Sequence, residues 1–383
     1  MTTASAAEWL TSLEPSMLEQ IARLARQNSF TENREGGNKV GAMLRELFAI
    51  PGITGKVHAS EKFADHLIFS SKGDTSLAPV AIIGHLDTVF PPGAFEGFMR
   101  DGDVIRGPGV LDMKGGLVVI AFALRAIAAT RGLDAICPLR IVVVSDEEVG
   151  SPEGRAIIER EARGSRAALV FESGRVADAI ITQRRGTGGI TATAYGKAAH
   201  AGNGHKEGAN AIWALSRFVD LAQRLTDYDR GVTVNVGKFT AGQGKNTVPD
   251  HAEALVDIRF GTRADGEKLV AELGRVAGLA CADVAGTSID LTGGIARLPL
   301  ERTEDSEGLL MEYGACAKAS GLGAGESPRV GGGSDACTTG AMGIPSIDGL
   351  GPRGSGFHTK EEQVEIASLV PKAQALARFL ERA

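Results

Sequence analysis

The sequence predicts an α/β protein with a mostly parallel sheet flanked by helices, and a smaller α+β domain inserted into it. Three observations carry this expectation. The runs SLAPVAIIG, LRIVVVSD and AALVFES are apolar almost to their last residues, as strands covered on both faces are. Helical patterns separate them, the clearest being MKGGLVVIAFALRAIAATRG, apolar nearly all round and ended by Gly132. After Gly174 the order becomes β-α-β-β-α-β, that of a ferredoxin-like sandwich.

Taken in order, residues 7 to 26 carry apolar side chains at helical spacing, so the chain opens with helices. The three buried strands and their helices follow, up to residue 178. The inserted part then reads TGGITATAYG, a helix at about 208–226, VTVNVGKFTAG, AEALVDIRF, a helix at about 265–279, and a last strand near 287–292. The string GLGAGESPRVGGGSDACTTGAMGIPSIDGLG resumes a glycine-punctuated α/β pattern, and residues 361–381 read as a closing helix. The expected division is therefore a discontinuous domain of residues 1–183 and 297–383, with 184–296 inserted.

Composition narrows the function. With 383 residues the chain exceeds one typical domain, and 43% hydrophobic residues suffice for a substantial core. A net charge of −6 with no stripe of Lys or Arg argues against nucleic acid or an anionic membrane as partner. The N-terminus lacks a charged segment followed by an apolar one, and the most apolar stretch, 116–129, is too short to span a bilayer and contains Arg125. Cys137, Cys281, Cys316 and Cys337 are far apart and read as small core residues. A cytoplasmic, reducing environment is expected.

Each predicted buried strand ends in residues that ligate metals. GHLDTVF supplies His85 and Asp87, SDEEVGS supplies Asp146, Glu147 and Glu148, and FESG supplies Glu172. Open α/β sheets bind ligands at the carboxyl ends of their strands, so the clusters face one crevice. GPGVLDMKGG adds Asp112 in a glycine-rich turn, and GFHTK adds His358. His85 and Asp87, two apart on an extended segment, point to one face, so Asp87 can hold the ring nitrogen that a metal leaves free. Glu147 and Glu148 are adjacent and diverge, so one can ligate while the other serves as a general base. Two histidines and three carboxylates suit two metals bridged by a carboxylate. Any one of these carboxylates alone is more often a helix cap or a loop solvator, and a lone histidine is more often structural; their joint placement is what favours a metal site.

GHLDTV, LDMKGG, DEEVGS, FESG, KAAHAGN and GGGSDA followed by FHTK resemble metallopeptidase family 20 over nearly the whole chain and in order. That family includes glutamate carboxypeptidases, aminoacylases, acetylornithine deacetylase and succinyl-diaminopimelate desuccinylase. The resemblance implies a zinc-exopeptidase-like catalytic domain and an inserted dimerisation (lid) domain. It implies two Zn2+ per chain bridged by Asp112, one held by His85 and Glu172, the other by Glu148 and His358. Co2+ and Mn2+ remain open as substitutes, because a carboxylate-rich site accepts all three. It further implies Glu147 as general base, Asp87 as the residue orienting His85, and His200, from the neighbouring subunit of a homodimer, as the group that stabilises the oxyanion. A histidine capping the helix from about 208 is the alternative for His200.

In ALVDIRF, alternation puts Arg259 and Asp257 on the outer face, where Arg259 offers a planar fork to a substrate carboxylate or pairs with Asp257. The resemblance makes Arg259 and Asn246 the binders of a terminal carboxylate, and Gly332, Gly333 and Ser334 possible N–H donors. Glu172 in place of aspartate is more like the glutamate carboxypeptidase and deacylase branch than the aminotripeptidase branch. DAIITQ carries no lysine where some glutamate carboxypeptidases contact a side-chain carboxylate. Dipeptides and N-acyl amino acids therefore stand beside aryl-glutamates as expected small-molecule substrates.

Other classes fit less well. GPGVLD has Asp112 where a dinucleotide fingerprint needs its third glycine, GQGKNT lacks P-loop spacing, and GGSDA falls one glycine short of a serine-hydrolase elbow. A catalytically silent metal-binding protein is the remaining alternative, against which Glu147 and every expected ligand are present.

Overall fold

A computed structural model describes residues 5–382 of the chain; residues 1–4 and 383, counted above with the discontinuous part, lie outside the described residues. The strand Val80–His85 is buried along its whole length. It runs parallel to Leu139–Val144 on one side and Ala167–Val170 on the other, and Ser346–Ile347 adds a further parallel strand. At the opposite edge His66–Ser71 and then Ile53–His58 join antiparallel. The six strands make a mainly parallel sheet. Because its central strands run the same way, the segments that follow His85, Val144 and Val170 leave the sheet at one rim.

The helix Gly115–Thr130 is buried on nearly every side and packs against the helices Ala6–Leu10, Glu14–Ala25 and Leu369–Leu380. Its first turn abuts the sheet. A methyl group at Gly116 would lie 2.3 Å from the Phe171 carbonyl oxygen, so only glycine lets the helix start this close to Glu172.

A small antiparallel sheet orders Gly354–Ser355, Gln363–Glu365, Val104–Arg106 and Met99–Asp101. This corrects the expected helix over 361–381: helix is confined to Leu369–Leu380, and Gln363–Glu365 is a strand. Val364, fully buried, pairs with the equally buried Ile105, and Pro371 stands in the first helical turn, where its missing N–H is not needed.

The chain divides into two units. One comprises the chain up to Gln183, Arg302–Arg329 and the segment from Ser334 onward; the other comprises Arg184–Glu301 and Val330–Gly333. The second unit is a four-stranded antiparallel sheet, ordered Thr233–Ala241, His251–Phe260, Gly186–Tyr195, Ser288–Arg297. The helices Ala211–Gln223 and Arg263–Asp283 close its core with Leu215, Phe218, Leu273 and Val276 against Ala192, Val256 and Ile258. Its last strand outruns the expected 287–292, because Arg297 still pairs with Thr187. The unit accordingly passes residue 296, and Val330–Gly333 joins it through the Arg185 N–H to Val330 carbonyl bond. Among the described residues the four cysteines are free, and no helix is long and apolar enough to cross a membrane.

Candidate metal centre

The rim of the parallel sheet gathers the predicted ligands. His85 is the last residue of its strand, and its Nε2 lies 3.3 Å from Asp112 Oδ1 and 3.5 Å from Glu172 Oε1. The other ring nitrogen, Nδ1, lies 3.1 Å from the Asp87 carbonyl oxygen and 3.3 Å from its Oδ1. Asp87 also accepts the backbone N–H of Glu147 on Oδ1 and of Glu148 on Oδ2, both at 3.2 Å. One buried carboxylate therefore orients His85 and fixes the turn Glu147–Val149. Asp112 sits in the turn Val110–Lys114, which leaves Gly109 in the left-handed region (φ 75°). Its second oxygen, Oδ2, lies 3.2 Å from His358 Nε2, which also lies 3.1 Å from Glu148 Oε2.

The residues form two triads sharing Asp112: His85, Asp112 and Glu172, and Asp112, Glu148 and His358. Within each, the ligand atoms all lie within 4.8 Å of one another. Burial opposes the charge of Asp112, yet hydrogen bonds with His358 and His85 hold its carboxyl well below the usual carboxylate range. Burial pushes the Glu172 carboxyl far up, and the Asp112 charge, then that of Glu147, push the same way. Glu148 is also raised by burial. Burial lowers the His85 pKa, but Glu172, Asp112 and Asp87 together lift it well above its ordinary value. Hydrogen bonds to Asp112 and Glu148 push His358 up to about 10. Three crowded carboxylates countered by protons on two imidazoles are a donor set that divalent cations fit. Nitrogen and oxygen donors without thiolate suit zinc, cobalt or manganese.

Residues 81–382 match the pattern of peptidase family M20/M25/M40. The chain belongs to this family. Carboxypeptidase G2 from Pseudomonas sp. (strain RS-16) is 28% identical over 96% of this chain and 89% of its own length. A succinyl-diaminopimelate desuccinylase from Cereibacter sphaeroides is 27% identical over 78% of this chain and 81% of its own. The fold is similar to the crystal structure of aminopeptidase PepT from Bacillus cereus, with a TM-score of 0.83 at 20% identity, covering 96% of this chain and 98% of that one. As a member of the M20 family, the protein is a metal-dependent hydrolase of peptide bonds.

Of the remaining predicted site residues of this M20 hydrolase, His200, Asn246, Arg259, Gly332 and Gly333 lie in its second unit, at two separate ends, and Ser334 lies in the first. His200 pairs with Thr247 across a two-residue ladder, and the Asn246 carbonyl accepts the Ala201 N–H, so His200 and Asn246 are neighbours. His200 Nδ1 accepts the N–H groups of Gly202 and Asn203, both at 3.1 Å, which puts the ring proton on Nε2. The helix Ala211–Gln223 is capped by Asn210, not by His200. Arg259 is elsewhere: it pairs with Thr187, next to Arg297, and Gly333 packs on the Arg297 side chain. Arg259 lies eight residue steps along the strand from His251, a span of roughly 26 Å at the usual rise. Arg259 makes a bidentate bond to Asp257 (2.9 and 2.8 Å), so a substrate carboxylate would have to exchange for that partner. Gly332 offers its carbonyl to Arg184, and Ser334 spends its hydroxyl on Asp348.

Three residues that support the centre escaped the sequence reading. The Thr31 hydroxyl donates to Asp87 Oδ2 at 2.8 Å. Glu362, buried, accepts three backbone N–H groups from the Asp112 turn. Lys114, also buried, donates to the carbonyls of Leu24 and Gln27 (3.1 and 3.0 Å). Burial pulls Lys114 down to about 7 and pushes Glu362 up to about 7. Lys114 left one readable trace, a lysine opening a helix that is otherwise apolar; the other two left none.

Proposed function

We propose that the protein is a dinuclear zinc exopeptidase of the carboxypeptidase kind, cleaving the amide bond of a small substrate that ends in a free carboxylate. The observation that carries this reading is the pair of triads meeting at Asp112, with Glu147 on the turn beside them. His85 and Glu172 would hold one metal and Glu148 and His358 the other, with Asp112 giving an oxygen to each. A bound metal pair supplies Lewis acidity toward an amide carbonyl and makes a water acidic enough to attack near neutral pH.

The chain's own groups supply the rest. Asp87 keeps His85 in the tautomer that presents Nε2. Glu147, its backbone tied to Asp87, accepts the proton of the attacking water and returns one to the leaving nitrogen. The His200 Nε2–H donates to the oxygen on which negative charge grows. Arg259, once it exchanges Asp257 for substrate, and Asn246 bind the terminal carboxylate. The distance between Arg259 and the His200–Asn246 pair within one copy supports a homodimer through the second unit, in which a partner copy completes the site.

A deacylase of N-acyl amino acids is the second reading, favoured by a succinyl-diaminopimelate desuccinylase relative that matches 78% of this chain and 81% of its own length. One experiment addresses both: zinc-loaded and chelated protein are offered dipeptides, N-acyl amino acids and their C-terminal amides. Chelator-sensitive release from the free acids, lost with the amides, is the expected result. Glu147→Gln should lower kcat by about 10²–10⁴-fold while two metals stay bound. Equal turnover of acids and amides would overturn the carboxylate reading. Bound metal with no hydrolysis of any member of the panel would favour a silent metal protein.

A further inference from the structure

The segment that carries His358 also reaches the turn that carries Asp112. His358 lies in the loop of a hairpin between the strands Gly354–Ser355 and Gln363–Glu365. Gln363 pairs with Arg106, the last residue of the strand that leads into the Asp112 turn. Glu362, one residue earlier, is therefore aimed into that turn and is 1% exposed. Its Oε2 accepts the Gly109 N–H at 3.0 Å, and its Oε1 accepts those of Leu111 at 2.8 Å and Asp112 at 3.0 Å. The loop between is tied as well: Glu362 donates its N–H to the Thr359 carbonyl, and Thr359 donates its N–H and its hydroxyl to the Gly356 carbonyl. Lys114 anchors the far side of the turn on Leu24 and Gln27.

From this geometry we infer that Glu362 is a positioning residue, a carboxylate clamp that holds the shared ligand Asp112 and the loop ligand His358 at the separation the two triads need. The inference rests on the metal-centre reading above. Three backbone N–H groups converge on the two oxygens of one carboxyl group, and one of them belongs to Asp112 itself, so its backbone is fixed. Glu362 touches neither substrate nor ligand atoms. It acts only through the turn and the hairpin.

The test is zinc affinity, read by competition with a chromophoric chelator on metal-stripped full-length protein, with circular dichroism to verify folding. In Glu362→Gln the shape is kept, but the amide NH2 must face at least one of the three N–H donors. At least one of the two zinc equivalents should bind about 10–100-fold more weakly. Glu362→Asp keeps the charge one methylene short and should fall between Gln and the parent. If the Gln variant does not fold, the Asp variant carries the test alone. A merely structural Glu362 would lower the thermal midpoint of the metal-free protein and leave zinc affinity where it was, and that result in a folded variant overturns the inference. A parent protein that binds no zinc fails the metal-centre reading itself, and this inference with it. Two tight zinc ions in the parent with equal affinity in both variants fail the clamp alone.

Discussion

The two triads that meet at Asp112 are made of different material. His85 ends one buried parallel strand and Glu172 lies two residues beyond another, and the His85 side chain is 1% exposed. His358 stands in a hairpin loop with its backbone in the left-handed region (φ 62°), and its ring is 48% exposed. That conformation costs a non-glycine residue roughly 1–2 kcal/mol. It is held by bonds to Asp112 and Glu148, by the ties of the loop and by an edge contact with the exposed Phe357 ring, not by a buried core. The first triad is thus preorganised by the core, whereas the second is assembled across a seam. The second should form last, exchange its metal first and respond most to its surroundings.

The largest effect should come from removing what the triads share. Asp112→Ala is expected to release both metals on dialysis, as measured by elemental analysis, and to leave no activity above background. Retention of one equivalent would mean that the triads are independent. The next effect separates them. In chelator-treated protein, His85→Ala leaves buried Asp112 and Glu172 without their shared partner, and should cost about 3–5 kcal/mol in a denaturant titration. His358→Ala removes a half-exposed ring and should cost about 1 kcal/mol or less. Equal costs would refute the contrast between core and seam.

The smallest effect is a proton. Hydrogen bonds to Asp112 and Glu148 push His358 up to about 10, so without metal it is an imidazolium at neutral pH. Its pKa is raised on folding. Its contribution to stability is therefore complete below the unfolded value of about 6.5 and is lost as pH rises through about 10. Zinc must displace that proton to use Nε2. Calorimetry in buffers of different ionisation heat should show proton release on zinc binding near pH 7, reduced in His358→Ala. No buffer dependence would remove the charged His358 from the account.

How much of this was readable follows from where each residue's partners lie. His85, Glu147, Glu148 and Glu172 could be picked out because a buried strand announces its end when polar residues follow an apolar run. Arg259 could be placed on the outer face by alternation, and the same alternation set Asp257 beside it, which is the partner it has. His358 was visible only through its motif, since a loop has no periodicity. Glu362 was invisible for a physical reason: its partners are backbone amides 250 residues and more away, and amides leave no mark on side-chain pattern. The strand Gln363–Glu365 was missed on similar grounds, because three residues paired with Val104–Arg106 are too few to break a helical pattern. Thr31 and its bond to Asp87 belong to the same class of long-range support.

The most direct test of the central claim is anomalous X-ray scattering at the zinc edge from crystals grown with zinc. Two peaks per chain are expected at the rim of the parallel sheet, one beside His85 and Glu172 and one beside Glu148 and His358, each in contact with Asp112. A single peak, or two that do not share Asp112, would contradict it.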